Sequence, residues 1–169
     1  KLSFKPNKNL RPTESKTKET LFNWLLNDLH GKKCLDMFAG TGALGLEALS
    51  RGADEVVFFE KQKVLSGAIE VVVKKLGVNN KCRVINANST AFDFKKLNTK
   101  FDLIFLDPPF YESLIQKSLN IISENELLTD KGLVYIECER DLDLGSLKTD
   151  LTQLKLSKGG ETKYCLYES

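Results

Sequence analysis

Five short and nearly continuous apolar runs, at residues 33–38, 55–60, 83–86, 101–107 and 132–137, alternate with helix-like stretches. The helix-like stretches lie at 43–51, 62–76 and 111–123, with a shorter turn around Ala91. A strand with one face in water alternates apolar and polar residues, whereas a run apolar at nearly every position suits a strand covered on both faces. Successive βα units gather such strands into a parallel sheet with helices above and below it. Two later runs, 151–156 and 163–167, joined across Lys158-Gly159-Gly160, read as a closing antiparallel hairpin. Ahead of the first strand, residues 17–29 place Leu21, Phe22, Leu25, Leu26 and Leu29 at helical spacing, with Thr13 and Ser15 as candidate caps and Gly31 as the stop. The expected class is therefore α/β: a doubly wound, mostly parallel, seven-stranded sheet with a C-terminal antiparallel hairpin and an N-terminal helix.

At 169 residues the chain suits a single domain, 1–169, divided into an arm at 1–16 and a core at 17–169. A content of 41% apolar and 28% charged residues is that of a globular chain and excludes a disordered or fibrous one. No apolar run approaches the ~20 residues of a membrane span, and the polar, basic start is no signal peptide, so a cytoplasmic protein with no membrane partner is expected. The chain opens on Lys1 and its only methionine is Met37, so further residues are expected before it. Cys34, Cys82, Cys138 and Cys165 are far apart and form no C-x-x-C pair; with one histidine, His30, they predict buried reduced thiols and no metal site. His30, beside Gly31, reads as part of a helix end.

Charge is unevenly placed. The first 18 residues hold six bases (Lys1, Lys5, Lys8, Arg11, Lys16 and Lys18) against Glu14, a net of +5, which leaves −3 for the remainder of a chain whose total is +2. A basic arm on a mildly acidic body suits a polyanionic partner, although a solvated terminus would read the same way.

Chemistry concentrates after the strands, where an open α/β sheet binds its ligands. The first strand leads into Asp36-Met37-Phe38-Ala39-Gly40-Thr41-Gly42-Ala43-Leu44-Gly45, and Gly40, Gly42 and Gly45 satisfy G-x-G-x-x-G between a strand and a helix. Glu60 ends the second strand 20 residues after Gly40, where a carboxylate accepts hydrogen bonds from ribose hydroxyls. Loop and carboxylate alone fit a dinucleotide. Asp36, inside the strand end, fits that less well; a carboxylate there can help hold a cationic amino group such as the one on S-adenosylmethionine. A turn kept only for strand–helix packing is the remaining alternative.

The fourth strand runs into Asp107-Pro108-Pro109-Phe110. Two prolines lack ladder donors and end the strand abruptly, and the first holds Asp107 extended. The result is a rigid turn that projects a carboxylate, a carbonyl and an aromatic ring. The exocyclic amine of a nucleobase is a poor nucleophile because its lone pair is delocalised into the ring. Acceptors at Asp107 and the Pro108 carbonyl orient such a nitrogen, and Phe110, with Tyr111, supplies a stacking surface. Placement then supplies much of the rate, and no strong general base is needed. An NAD-dependent oxidoreductase gives this tetrad no role.

With these motifs in view, the sequence resembles the bacterial 16S ribosomal RNA guanine-N2 methyltransferases of the RsmD type. The resemblance rests on Arg11-Pro12-Thr13, on Glu19-Thr20-Leu21-Phe22-Asn23-Trp24-Leu25, on the whole stretch from Leu35 to Ala53, and on Asp107-Pro108-Pro109-Phe110. It implies a Rossmann-like class I methyltransferase fold, S-adenosylmethionine as cofactor and S-adenosylhomocysteine as product. It also implies cofactor contacts at Asp36, Phe38, Ala39, Gly40, Gly42, Glu60, Lys61, Asn88 and Ser89, the last two facing the adenine. The target base would lie at Asp107, Pro108, Pro109 and Phe110. RNA contacts would fall at Lys5, Lys8, Arg11, Thr13 and Tyr111, the basic ones to phosphates and hence salt-sensitive. The expected partner is 16S ribosomal RNA within a partly assembled small subunit, met by a monomer without a metal. An adenine-N6 methyltransferase of DNA or RNA is the nearest alternative, since the tetrad positions an amine without naming the base.

Overall fold

The structure, a computed structural model, describes residues 15–25, 29–111 and 113–169. Among the described residues seven strands form one sheet in the order β3-β2-β1-β4-β5-β7-β6. They are β1 (Lys33–Asp36), β2 (Glu55–Phe59), β3 (Cys82–Ile85), β4 (Phe101–Leu106), β5 (Leu128–Glu139), β6 (Thr152–Gly159) and β7 (Thr162–Glu168). β1 to β5 pair in parallel, and β7 inserts antiparallel between β5 and β6. The order starts in the middle at β1, runs outward to β3, then restarts at β4 on the other side. That reversal opens a crevice at the carboxyl ends of β1 and β4.

The helices α1 (Ser15–Trp24), α2 (Ala43–Ser50), α3 (Lys63–Lys75) and α4 (Leu114–Glu124) cover the sheet. Strand residues alternate between two cores. Cys34, Val56, Phe58, Leu103, Phe105 and Tyr135 pack with Leu21 and Phe22 of α1, Leu44 and Ala48 of α2 and Ile69 of α3. Leu35, Val57, Phe59, Ile104, Leu106 and Ile136 face Ile115, Leu119 and Ile122 of α4, together with Phe94 and Leu97 from a short 3-10 segment. Both faces of the central strands are therefore dry, which is why their sequences are nearly continuous apolar runs.

Several boundaries differ from the sequence reading. The expected helix at 111–123 starts only at Leu114, because Tyr111 and Ser113 both adopt left-handed backbone angles (φ of 62° and 52°) after the two prolines. β5 begins at Leu128, four residues early, with Lys131 at φ 56° and a register shift against β4 taking up the irregularity. Ser15 is the first helical residue of α1 rather than a residue outside it. The hairpin turns at Gly160 and Glu161, with Gly160 at φ 57°. Cys34, Cys138 and Cys165 are buried and free as expected, whereas Cys82 is half-buried. Among the described residues no cluster could hold a metal ion, and no helix is long and apolar enough to cross a membrane. Lys5, Lys8, Arg11, Thr13 and Leu26 lie outside the described residues.

Candidate active site

The glycine loop leaves β1 clamped between two neighbours: the Met37 N–H donates to the Phe105 carbonyl at 3.2 Å and the Ala39 N–H to the Phe59 carbonyl at 2.9 Å. Gly40 and Gly42 take positive φ (55° and 80°), Gly42 serving as the cap of α2. The third glycine has a different task. A Cβ on Gly45 would stand 2.2 Å from the Phe58 ring, so Gly45 is there to let α2 lie close on β2.

Two carboxylates brace this loop from beneath. Asp36 is 1% exposed; its Oδ2 accepts the Gly45 N–H at 3.3 Å, while its Oδ1 has no hydrogen-bond partner among the described residues. Burial raises its pKa to about 7, opposed by the Gly45 and Phe38 amides and reinforced by the charge of Glu60. Glu60 is 7% exposed and accepts the Gly40 N–H at 2.8 Å on one oxygen and the Gln62 N–H at 2.7 Å on the other. Each oxygen keeps a second lone pair for a hydroxyl donor. Asn86, which the sequence reading passed over, donates to the Glu60 carbonyl at 2.8 Å and to the Lys61 carbonyl at 3.1 Å, pinning the end of β2. Lys61 itself is exposed and enters the site through its backbone.

The segment after β3 separates the two residues expected to face an adenine. The Asn88 side-chain oxygen accepts from the Thr90 N–H at 3.1 Å and the Thr90 hydroxyl at 3.0 Å, so it caps its own 3-10 turn. Ser89 is 2% exposed and its hydroxyl lacks a partner among the described residues. A buried polar atom left unsatisfied is costly, and here two of them, Asp36 Oδ1 and Ser89 Oγ, follow strands on either side of Glu60. An amino group, a ribose diol and a heteroaromatic ring meet their chemical needs in that order. The residues present therefore fit S-adenosylmethionine.

At the end of β4, Asp107 and Phe110 are half-buried, Pro108 is buried and Pro109 exposed. The Phe110 and Tyr111 rings meet edge to face, 6.2 Å between centroids at 85°, and Tyr111 is 74% exposed. Leu106, the last residue of β4, pairs with Ile136, and the next residue of each chain segment is a carboxylate: Asp107 after β4 and, within β5, Glu137, only 6% exposed. The Tyr135 hydroxyl donates to Glu137 at 3.1 Å, and its pKa is pushed well up by burial, by Glu137 and by Asp107. Sequence reasoning missed this polar pair because Tyr135 and Glu137 sit inside an apolar run and carry no motif. Asp36, Ala39, Gly42, Glu60, Ser89 and Pro108 are thus buried, Phe38, Gly40, Asp107 and Phe110 are half-buried, and Lys61, Asn88, Pro109 and Tyr111 are exposed.

Residues 1–168 match the family profile described as conserved hypothetical protein 95. The chain is 39% identical over 171 residues to ribosomal RNA small subunit methyltransferase D of Haemophilus influenzae, covering 100% of this chain and 88% of that protein. It is 36% identical over 168 residues to the protein of the same name in Escherichia coli K12, covering 99% of this chain and 84% of that protein. The solved structure of yhhF from Escherichia coli superimposes with a TM-score of 0.83 at 32% identity, over 94% of this chain and 87% of that one. A seven-stranded sheet with these connections, a braced glycine loop and relatives of this closeness lead to one assignment: the chain belongs to the ribosomal RNA small subunit methyltransferase D family.

Proposed function

We propose that this chain transfers a methyl group from S-adenosylmethionine to the exocyclic N2 amine of a guanine in the 16S RNA of the small ribosomal subunit. It would act as a cytoplasmic monomer of one domain, its 1–16 arm on a partly assembled particle. The observation that carries the reading is the position of Asp107-Pro108-Pro109-Phe110 at the carboxyl end of β4, beside the loop that leaves β1. The cofactor, when bound, supplies an electrophilic methyl group on a sulfonium.

The residues of the chain do the placing. Asp36 Oδ1 accepts from the ammonium of the amino-acid tail, Glu60 from the ribose hydroxyls, and Ser89 meets the adenine. Asp107 and the Pro108 carbonyl accept the two N–H bonds of the target amine, which aims its lone pair along the line of attack. Phe110 holds the base by stacking. When bound, the cofactor would supply the methyl group and its sulfur would keep the bonding pair, while Asp107 or water would take the surplus proton of the amine. Holding the two partners in line, with donors and acceptors already fixed, lowers the barrier without a metal or a histidine. Lys5, Lys8 and Arg11 would contact phosphates, with Thr13 and Tyr111 completing the RNA surface.

Calorimetric titration with S-adenosylhomocysteine, and NAD in parallel, tests the cofactor. Binding of the first alone is expected, and binding of NAD alone would overturn the reading. Incubation of hypomethylated small subunits with labelled cofactor, followed by nucleoside mass spectrometry, tests the base: N2-methylguanosine is expected, and N6-methyladenosine would replace guanine by adenine as the target.

A further inference from the structure

Beyond Pro108 and Pro109 lies a groove of about 480 Å³, within the range of ~300–1,000 Å³ usual for small-ligand sites. We propose that it receives the base of the nucleotide adjacent, along the RNA, to the one that is methylated, so that the enzyme holds two neighbouring bases apart. This rests on the reading above, which puts an RNA base at Asp107-Pro108-Pro109-Phe110.

The lining combines apolar groups suited to a ring, Pro108, Pro109, Leu142 and Leu147, with polar ones suited to its edge, Gln116, Asn120, Glu139 and Lys148. The walls are also fixed in place. The Gln116 amide donates to the Lys148 carbonyl at 2.9 Å and to Asn120 at 2.8 Å, and accepts the Lys148 N–H at 2.8 Å, tying α4 to the segment that follows β5. None of Asp36, Gly40, Gly42, Glu60 or Ser89 lines the groove, so it is separate from the residues assigned to the cofactor.

Tyr111 decides what kind of ring enters. It lines this groove and also a second depression formed with Arg140, Asp141, Gly160 and Glu161, and its ring stands exposed between the two. With Phe110 set edge to face against it, the pair offers one aromatic surface for the target and another for a neighbour. Single-stranded RNA is read by splaying its bases onto such rings.

Polar chemistry bears on which part of the nucleotide goes in. The groove itself carries one carboxylate, Glu139, and one ammonium, Lys148, and a base edge brings N–H donors that the carboxylate accepts. Arg140, whose Nη1 donates to the Gly160 carbonyl at 3.0 Å, keeps further N–H groups for backbone passing over the rim.

The test fills the groove. Ser146→Trp, in the turn after β5, and Asn120→Trp, on α4, each place an indole at the lining of the groove, at exposed positions outside the assigned cofactor and target-base residues. Partly assembled small subunits reconstituted on 16S RNA, intact or with the nucleotide preceding or following the methylated guanine made abasic, are titrated and assayed with each protein. One abasic position is expected to weaken binding by wild type about tenfold, the size of one lost base–aromatic stack. Each Trp variant should lose as much on intact RNA, lose nothing more on that abasic RNA, and bind S-adenosylhomocysteine normally. Trp variants that bind and methylate intact RNA like wild type would overturn the proposal. Equal loss by the Trp variants on intact and abasic particles would also overturn it, by putting a protein in the groove. A wild type that neither binds S-adenosylhomocysteine nor methylates RNA would overturn the functional reading itself.

Discussion

The carboxylate of Glu60 accepts the amide hydrogen of Gly40 at 2.8 Å, joining the end of β2 to the loop that leaves β1. Its other oxygen holds the Gln62 N–H, so one side chain fixes two stretches of backbone. Glutamine has a single acceptor oxygen and would turn its amide nitrogen toward one of these donors. Glu60→Gln should therefore weaken S-adenosylhomocysteine binding tenfold or more and cost roughly 1.5–3 kcal/mol of stability. Calorimetry and thermal melts on the same preparation measure both; unchanged affinity would remove Glu60 from the site.

In its proposed role against the cofactor's ammonium, Asp36 would make the site sensitive to pH. With a pKa of about 7 it is protonated in mildly acidic buffer and then cannot pair with an ammonium. Affinity for S-adenosylhomocysteine should fall as pH drops through 7, approaching tenfold per unit. Asp36→Asn should bind weakly with no such slope.

The same residue predicts a stability effect of opposite sense. Its folded pKa lies above the unfolded value of 3.8, so its contribution is fully favourable below that value and is lost as pH rises through 7. Cofactor-free Asp36→Asn should melt a few degrees above wild type at pH 8, with a smaller gain at pH 5. A gain that shrank toward pH 8 would contradict the assigned cause.

Gly45→Ala puts a methyl group into the Phe58 ring. Both lie in the packed core between α2 and β2, so overpacking should cost about 1–3 kcal/mol, or roughly 5 °C in Tm. Gly67→Ala, in α3 with open space around it, should be neutral or stabilising in the same melt.

Asp107→Ala should reduce turnover at least a hundredfold and leave S-adenosylhomocysteine affinity within about threefold of wild type, because it removes an acceptor for the amine and nothing assigned to the cofactor. Single-turnover assays at saturating cofactor check this; retained turnover would remove Asp107 from its role.

The strands were legible because burial on both faces writes itself as unbroken apolar runs, and the turns after them because glycine and proline leave few conformations open. What stayed hidden depended on packing between distant segments. Asn86 looks like any loop asparagine until it is found holding the end of β2. Tyr135 and Glu137 become neighbours of Asp107 only through the pairing of β4 with β5. Gly45 matched a ligand-binding pattern but acts through the Phe58 ring. Tyr111 was read as helical from its neighbours' periodicity, which carries no information about a left-handed residue after two prolines.

The late insertion of β7 between β5 and β6 bears on how the molecule comes together. Among the described residues β6 has no neighbour but β7, so β6 joins the sheet only through the hairpin that turns at Gly160, whereas β7 also pairs with β5. Hairpins close within microseconds, whereas joining β5 is a separate docking event. The loop around Asp36 and Glu60 is held by β1, β2 and β4, whereas the ridge at Tyr111 gains its Gly160 and Glu161 flank from the hairpin. On the proposed assignment of the two halves, a hairpin that docks slowly would show as a lag in RNA capture with none in cofactor capture.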